Sequence, residues 1–97
     1  MSVLVMVRAT AKPGTGQDVV DMLAPFVGEN PGLEGCSRVE LVVDAVAPDR
    51  LIIIEEWTSV EAHKASLAAL EEAGALDDFL ALLAEAPLRT YYAPLGS

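Results

Sequence analysis

The chain has few of the residues that build disulfides, metal centres or anion-binding surfaces. Its 97 residues include one cysteine, one histidine, and six lysines and arginines against fifteen aspartates and glutamates, a net charge of −9. A lone cysteine excludes an intramolecular disulfide and is typical of a reducing compartment. One histidine and one cysteine cannot form a zinc-type ligand set within one chain, and no acidic loop has calcium or magnesium spacing. We therefore expect no bound metal.

The acidic balance and the lack of a long apolar run exclude two classes of partner. Nucleic acids and anionic membranes bind basic surfaces, which a chain of net charge −9 does not offer. No apolar stretch approaches the ~20 residues of a membrane span. The start, M-S-V-L-V-M-V-R, has neither the basic region nor the cleavage site of a signal peptide. We expect a cytoplasmic protein with a single domain over residues 1–97.

The most informative segment is L-I-I-I-E-E-W at residues 51–57. Because strand side chains alternate between faces, Leu51 and Ile53 point one way while Ile52 and Ile54 point the other. Both faces of this strand therefore require burial. A chain of this length has enough helix to cover one face of a small sheet, and we expect a second copy of the protein to cover the other.

Glycine, proline and polar residues divide the chain into β-α-β-β-α-β. Strands are predicted at residues 3–11, 36–44, 50–57 and 88–95. One helix runs from the turn at residues 12–16 to about Asn30 with a bend at Pro25, and a second begins at Ser59, is interrupted by Gly74 and resumes over 75–85. This order is the ferredoxin-like pattern of α+β proteins, with a four-stranded antiparallel sheet and helices on one face.

Several short motifs resemble one known family. They are K-P-G at residues 12–14, N-P-G-L-E-G-C at 30–36, Asp44 beside the hairpin, and E-E-W-T-S-V-E-A at 55–62. In this order, over nearly the whole chain, they resemble the antibiotic biosynthesis monooxygenase-like family. The resemblance implies a dimeric α+β barrel with a pocket between each sheet and its helices. It also implies oxidation of quinols, anthrones or other polycyclic phenols by O₂ without metal or flavin, although some members degrade haem, isomerise or bind small molecules.

Glu55 and Trp57 share one face of the strand and are the first candidates for a site. We expect Trp57 to line the pocket and stack on an aromatic substrate, unless it plugs the barrel as a core residue. A carboxylate against aliphatic walls has a raised pKa and can act as a general base on a phenol, so Glu55 is a catalytic candidate. The alternative is a structural ion pair with Arg8 or Arg38, because burying an unpaired charge is costly. Both arginines are also candidates for substrate binding.

Three further residues can contribute chemistry. His63, early in the second helix, is the second catalytic candidate, unless it is simply an exposed helix residue. Tyr91 and Tyr92 face opposite sides of the last strand, so one of them points toward the core or pocket, and both are substrate-binding candidates. Cys36 is expected to pack as a small hydrophobic residue at the start of a strand.

The chain departs from the family pattern at three positions. Antibiotic-type members often carry an asparagine four residues before the tryptophan, where this chain has Ile53. Many members carry a histidine nine residues after it, and haem-degrading members about ten residues after it. This chain has Ser66 and Leu67 there. Haem degradation is therefore not expected.

The sequence supports one hypothesis and leaves two alternatives. The first hypothesis is a cofactor-independent monooxygenase that oxidises a small phenolic, quinol or polycyclic aromatic substrate with O₂, after Glu55 or His63 has taken a proton. The alternative is a non-oxidative dimeric barrel that binds or isomerises a small hydrophobic molecule, which the missing asparagine and histidine favour. Purely structural dimerisation would leave the space between sheet and helices filled by side chains.

Overall fold

A five-stranded antiparallel sheet organises the protein, which a computed structural model describes over residues 2–95. The elements are β1 (Val3–Thr10), α1 (Gly16–Leu23), a 3-10 turn (Ala24–Phe26), β2 (Gly28–Glu29), β3 (Cys36–Val43), β4 (Arg50–Trp57), α2 (Val60–Glu72), α3 (Asp77–Ala81) and β5 (Leu88–Tyr92). The strand order is β2-β3-β4-β1-β5. The predicted ferredoxin-like α+β fold is confirmed, with one short strand, β2, more than expected.

Within residues 2–95, helices cover the inner face of the sheet and none covers its outer face. On β4, Leu51 and Ile53 are buried in the core with Trp57, whereas Ile52 and Ile54 on the other face are only half-buried. The registers extend this alternation to β1, since Val7 pairs with Ile53 and Met6 with Ile54. The inner face carries the core, and the outer face carries an apolar surface with no helix over it.

A β-bulge near the start of β3 adjusts which side chains reach the inner face. Cys36 pairs with Trp57 and Arg38 pairs with Glu56, so one residue of β3 has no partner on β4 between them. Cys36 is buried, and Val39 beyond the bulge is buried as well. The bulge therefore allows two residues an odd number of positions apart to point into the same core.

The first helix is shorter than the sequence pattern predicts. The expected bent helix to about Asn30 ends instead at Leu23, and Pro25 lies in the 3-10 turn that follows. Proline donates no backbone hydrogen bond, and Gly28 and Asn30 have φ angles of 115° and 55°, which no α-helix contains. The residues beyond the turn join the sheet, where Gly28 pairs with Val39 of β3.

The chain between α3 and β5 also departs from the helical pattern. The predicted helix over 75–85 is confined to Asp77–Ala81, because Leu83 forms an antiparallel bridge with Ala11. The amide of Ala84 donates to the carbonyl of Thr10 at 2.8 Å, which continues the pairing. The last strand ends at Tyr92 and not at residue 95, and Pro94 cannot donate to a sheet ladder.

Both ends of α2 follow the sequence signals. The hydroxyl of Ser59 accepts a hydrogen bond from the amide of Ala62 at 3.0 Å, as an N-cap residue does. Gly74, with φ of 70°, follows the last turn, and its amide donates to the carbonyl of Glu71 at 3.1 Å. These two ends fix the position of the helix that carries His63. Within residues 2–95, no helix combines the length and apolarity that crossing a membrane requires.

One carboxylate ties the hairpin between β3 and β4 to the start of α1. Asp49 accepts hydrogen bonds from the amides of Gly14 at 3.1 Å and Gly16 at 2.9 Å. A Cβ atom at Gly16 would lie 2.4 Å from the carbonyl oxygen of Pro48, so only glycine permits this approach. Asp49 thus satisfies amides that the first turn of a helix leaves without partners.

We predict that Asp49→Ala lowers the free energy of unfolding by roughly 0.5–2 kcal/mol, the range found for lost helix caps. Urea unfolding followed by circular dichroism measures this change. Glu72→Ala is the control, because Glu72 is an exposed residue of α2 and such surface substitutions change stability by about 0.5 kcal/mol or less. Equal stability of the two variants would show that the Asp49 contacts do not stabilise the fold.

Candidate active site

An apolar cavity of about 200 Å³ lies between the inner face of the sheet and the helices. Val7, Val39, Leu41 and Ile53 form its floor, and side chains of α1, α2 and α3 form its walls. Phe26 also lines the cavity and is 43% exposed, so the cavity reaches the surface beside the 3-10 turn. The space between sheet and helices is therefore not filled by side chains, which is the arrangement expected of a binding protein or an enzyme.

Three ionisable side chains interrupt this apolar lining among the described residues. They are Glu55 of β4, His63 of α2 and Arg89 of β5. Glu55 and Arg89 have odd numbers on strands whose odd-numbered residues face inward, and their registers with Val5 and Val7 of β1 bring them to the same side of the sheet. A carboxylate, an imidazole and a guanidinium thus line the same cavity.

Trp57 fixes the position of the Glu55 carboxylate. Its indole Nε1–H donates a hydrogen bond to Glu55 Oε1 at 2.7 Å, and the ring is 2% exposed. Gly35, with φ of 87°, lies against this ring, because a Cβ atom there would be 3.5 Å from Trp57 Cε3 and 3.0 Å from the Cβ of Ala62. The tryptophan both lines the cavity and orients its carboxylate.

His63 is buried between aromatic neighbours, although the sequence left open an exposed helix position. Only 4% of its surface is exposed, and its Nδ1 lies 2.7 Å from the hydroxyl of Tyr91. Its Nε2 lies 3.9 Å from Glu55 Oε1, and its ring meets that of Trp57 edge-on at 5.2 Å. With Tyr91 on one ring nitrogen, the other is directed toward the carboxylate. The histidine, tyrosine, tryptophan and glutamate form one connected group.

The cavity shifts the two titrating groups in opposite directions. Burial raises the pKa of Glu55, although the indole hydrogen bond of Trp57 and the positive charge of Arg89 act against this rise. Burial lowers the pKa of His63 from its ordinary 6.5, and the charge of Arg89 lowers it further. Neutral imidazole is therefore the form present at neutral pH, beside a carboxylate that accepts protons more readily than an exposed one.

The family model for antibiotic biosynthesis monooxygenases matches residues 2–72. The chain belongs to the antibiotic biosynthesis monooxygenase family. No curated protein matches the sequence.

Solved structures agree with this membership at the level of the fold. A protein from Chloroflexus aurantiacus J-10-fl that is named for the same family is 25% identical, with a TM-score of 0.78 over 100% of this chain and 96% of its own. A family-named protein from Nitrosomonas europaea is 16% identical, with a TM-score of 0.81 over 98% and 91% of the two chains. Rv0793 from Mycobacterium tuberculosis is 20% identical, with a TM-score of 0.77 over 100% and 98%.

The three positions that depart from the family pattern expected from the resemblance, Ile53, Ser66 and Leu67, all line the cavity. They contribute two aliphatic side chains and one hydroxyl group to its lining. Within residues 2–95, no three His, Cys, Asp or Glu side chains are grouped as metal ligands.

Three of the candidates from the sequence lie on the outer face, away from the cavity. Arg8 pairs in register with Ile52, Arg38 with Glu56, and Tyr92 with Leu4. The predicted ion pair of Glu55 with Arg8 or Arg38 is therefore wrong. Even-numbered residues of β1 point away from Glu55, and on β3 Arg38 pairs with outer-face Glu56 while its guanidinium contacts the carboxylate of Glu40.

Arg89 is the cavity residue that the sequence analysis missed. The sequence contains a signal for the position of Arg89. Tyr91 and Tyr92 are expected on opposite faces of the last strand, and Arg89 shares a face with Tyr91. The strand register with β1 was needed to decide which of those faces points inward, because the pattern of the last strand is apolar on neither side. The position of β5 next to β1, where Arg89 pairs with Val7, supplies that register.

We predict that the pKa of His63 lies below 6.5 and rises in Arg89→Met, because that change removes a positive charge and leaves the burial in place. Nuclear magnetic resonance titration resolves this directly, since the chain has one histidine. Arg50→Met, on the exposed start of β4, is the matched control and leaves the pKa unchanged.

The sign of the accompanying stability change follows from proton linkage. Between pH 6.5 and the lower pKa of the folded state, the unfolded chain binds more protons at His63 than the folded chain does. Stability is therefore lost as the pH falls through this window, and the loss is complete below the folded pKa. A His63 pKa at or above 6.5 in the unaltered protein would contradict the buried, neutral imidazole.

Proposed function

We propose that the protein is a cofactor-independent monooxygenase that oxidises a small phenolic or quinol-type aromatic substrate with O₂. The observation that carries this proposal is the joining of Glu55, His63 and Trp57 in an apolar cavity, with a 2.7 Å hydrogen bond between indole and carboxylate. A base in such a cavity ionises a hydroxylated aromatic ring, and the electron-rich anion then reacts with O₂ directly. Membership of the antibiotic biosynthesis monooxygenase family supports this reaction class.

The size of the cavity favours a substrate of one or two rings. An apolar cavity of about 150 Å³ is enough to bind benzene, and the volume here is about 200 Å³. A flat ring in the cavity stacks on Trp57, and the aliphatic floor excludes water from the anion. A larger polycyclic substrate requires the 3-10 turn beside Phe26 to move outward.

The proposed reaction balances without an external reductant. Oxidation of a phenol to a quinone consumes one O₂, places one oxygen atom in the product as the new carbonyl, and releases the other as water with the ring hydrogen and the hydroxyl hydrogen. The substrate supplies all four electrons. Glu55 takes the first proton because its pKa is raised, and the imidazole of His63, held by Tyr91, donates or accepts at the substrate oxygen.

Oxygen uptake with metal-free protein tests the proposal against a panel of quinols, anthrones and naphthols. We expect substrate-dependent uptake that Trp57→Phe lowers roughly tenfold, corresponding to about 1.4 kcal/mol of lost transition-state stabilisation, because the carboxylate loses its indole donor and the substrate loses a stacking partner. Val46→Ala, at a side chain that is 93% exposed, is the control and keeps the full rate. Uptake that is unaltered in Trp57→Phe would remove this residue from the site.

One observation favours the non-oxidative alternative. Ile53 and Ser66 line the cavity where the resemblance leads us to expect asparagine and histidine, so fewer polar groups are available to a reacting oxygen species. A barrel of this composition can bind or isomerise a small hydrophobic metabolite through Glu55 and His63 alone. Tight binding of the panel compounds without oxygen uptake would support this function instead.

We propose that two copies of the chain associate through their outer sheet faces. Leu4, Met6, Ile52 and Ile54 form an apolar surface on this face and are only half-buried in the single chain. An interface of standard size buries about 800 Å² per partner, and at ~25 cal/mol per Å² that area contributes ~20 kcal/mol before association costs. The face is therefore suited to a stable homodimer.

Sedimentation velocity at micromolar concentration checks this association. We expect a dimer for the unaltered chain and a monomer for Ile54→Lys, because this substitution places a charge in the centre of the apolar surface. Val46→Lys, on the exposed hairpin, is the matched control and remains dimeric. A monomer for the unaltered chain would rule the dimer out.

A further inference from the structure

The guanidinium of Arg89 is a cation of the candidate active site whose side chain has no partner within residues 2–95. Arg89 is half-buried on β5 and lines the cavity, and its side chain makes no hydrogen bond or ion pair with any residue in the range 2–95. A guanidinium carries five N–H donors in a fixed planar arrangement that suits an anionic oxygen. Its charge nevertheless acts on Glu55 and His63, so it lies within electrostatic range of both.

The charges in the cavity disfavour a ligand that enters as an anion. At neutral pH the cavity holds the carboxylate of Glu55, the cation of Arg89 and a neutral His63. The remaining lining is apolar except for the neutral hydroxyl of Ser66, and Tyr91 is engaged with His63. A ligand that arrives as an anion would add a second negative charge against a single cation.

A neutral hydroxylated ring avoids that cost. When its proton moves to Glu55, the O–H bond breaks, the bonding electron pair stays on the ring oxygen, and the carboxylate becomes a neutral acid. The negative charge has then moved from Glu55 to the ligand, and the net charge of the site is unchanged. Arg89 remains opposite this charge throughout, because its guanidinium does not lose its proton.

We propose that Arg89 holds the ionised oxygen of the ligand, and that the ligand is a small hydroxylated aromatic that enters neutral and ionises in the cavity by giving its proton to Glu55. This inference deepens the proposed function and rests on it for the hydroxylated ring. It adds a residue that the sequence did not single out, and it selects phenols and quinols over aromatic carboxylates as ligands.

Binding of 4-nitrophenol tests the inference without turnover, since its anion absorbs visible light and its neutral form does not. We expect the ionisation constant of the bound probe to exceed that of the free probe at least tenfold. Arg89→Met abolishes this increase, Arg89→Lys retains part of it, and Arg50→Met leaves it intact. Quenching of the single tryptophan, Trp57, reports the fraction bound in each case.

The methyl ether 4-nitroanisole separates a lost cation from a damaged cavity, because it has the same ring and cannot ionise. Its affinity changes less than twofold in Arg89→Met if the cavity is intact. The inference is overturned if 4-nitrophenol does not bind, if its ionisation is the same in Arg89→Met, or if both probes lose affinity equally in that variant. Oxygen uptake is a separate measurement, so a failed oxygenase assay with Arg89-dependent ionisation overturns only the proposed function.

Discussion

The alternation of side chains along β4 is the constraint on which the rest of the structure depends. Because successive residues of a strand face opposite sides, one eight-residue segment supplies the core with Leu51 and Ile53, the cavity with Glu55 and Trp57, and the outer face with Ile52 and Ile54. β4 pairs with both β1 and β3, so its alternation sets that of its neighbours. The alternation of side chains along β4 therefore determines which residues form the core, the candidate active site and the surface available to a second copy.

The cavity places charged groups where burial disfavours them. An uncompensated charge against aliphatic walls costs several kcal/mol, and here each group offsets another. The indole of Trp57 hydrogen-bonds the carboxylate of Glu55, the hydroxyl of Tyr91 contacts His63, and the positive charge of Arg89 favours the ionised form of Glu55. Such an arrangement gives up some stability for reactivity, as functional sites in otherwise apolar cores commonly do.

The sequence predicted the element order, the faces of β4 and the capping of α2, because all three depend on local alternation or on a single side chain. It did not predict the end of α1 or of α3, where tertiary pairing overrides helical periodicity. Phe26 continues an apolar stripe and yet lies in a 3-10 turn at the cavity, and Leu83 pairs with Ala11. The burial of His63 and the inward direction of Arg89 likewise depend on neighbours that are distant in sequence, so periodicity alone could not fix them.

The bulge in β3 has a consequence for how this chain can change length during evolution. A one-residue insertion or deletion in a paired strand turns every later side chain to the opposite face. An insertion directly before Val39 would bring Glu40 toward the cavity and carry Val39 and Leu41 out of it. At Ser37, beside the bulge, the ladder already contains an unpaired residue, and a deletion there restores regular pairing without exchanging the faces. We therefore expect relatives of different length to differ at the bulge and in the loops. The pairing register of the rest of β3 and β4 should be the same in all of them.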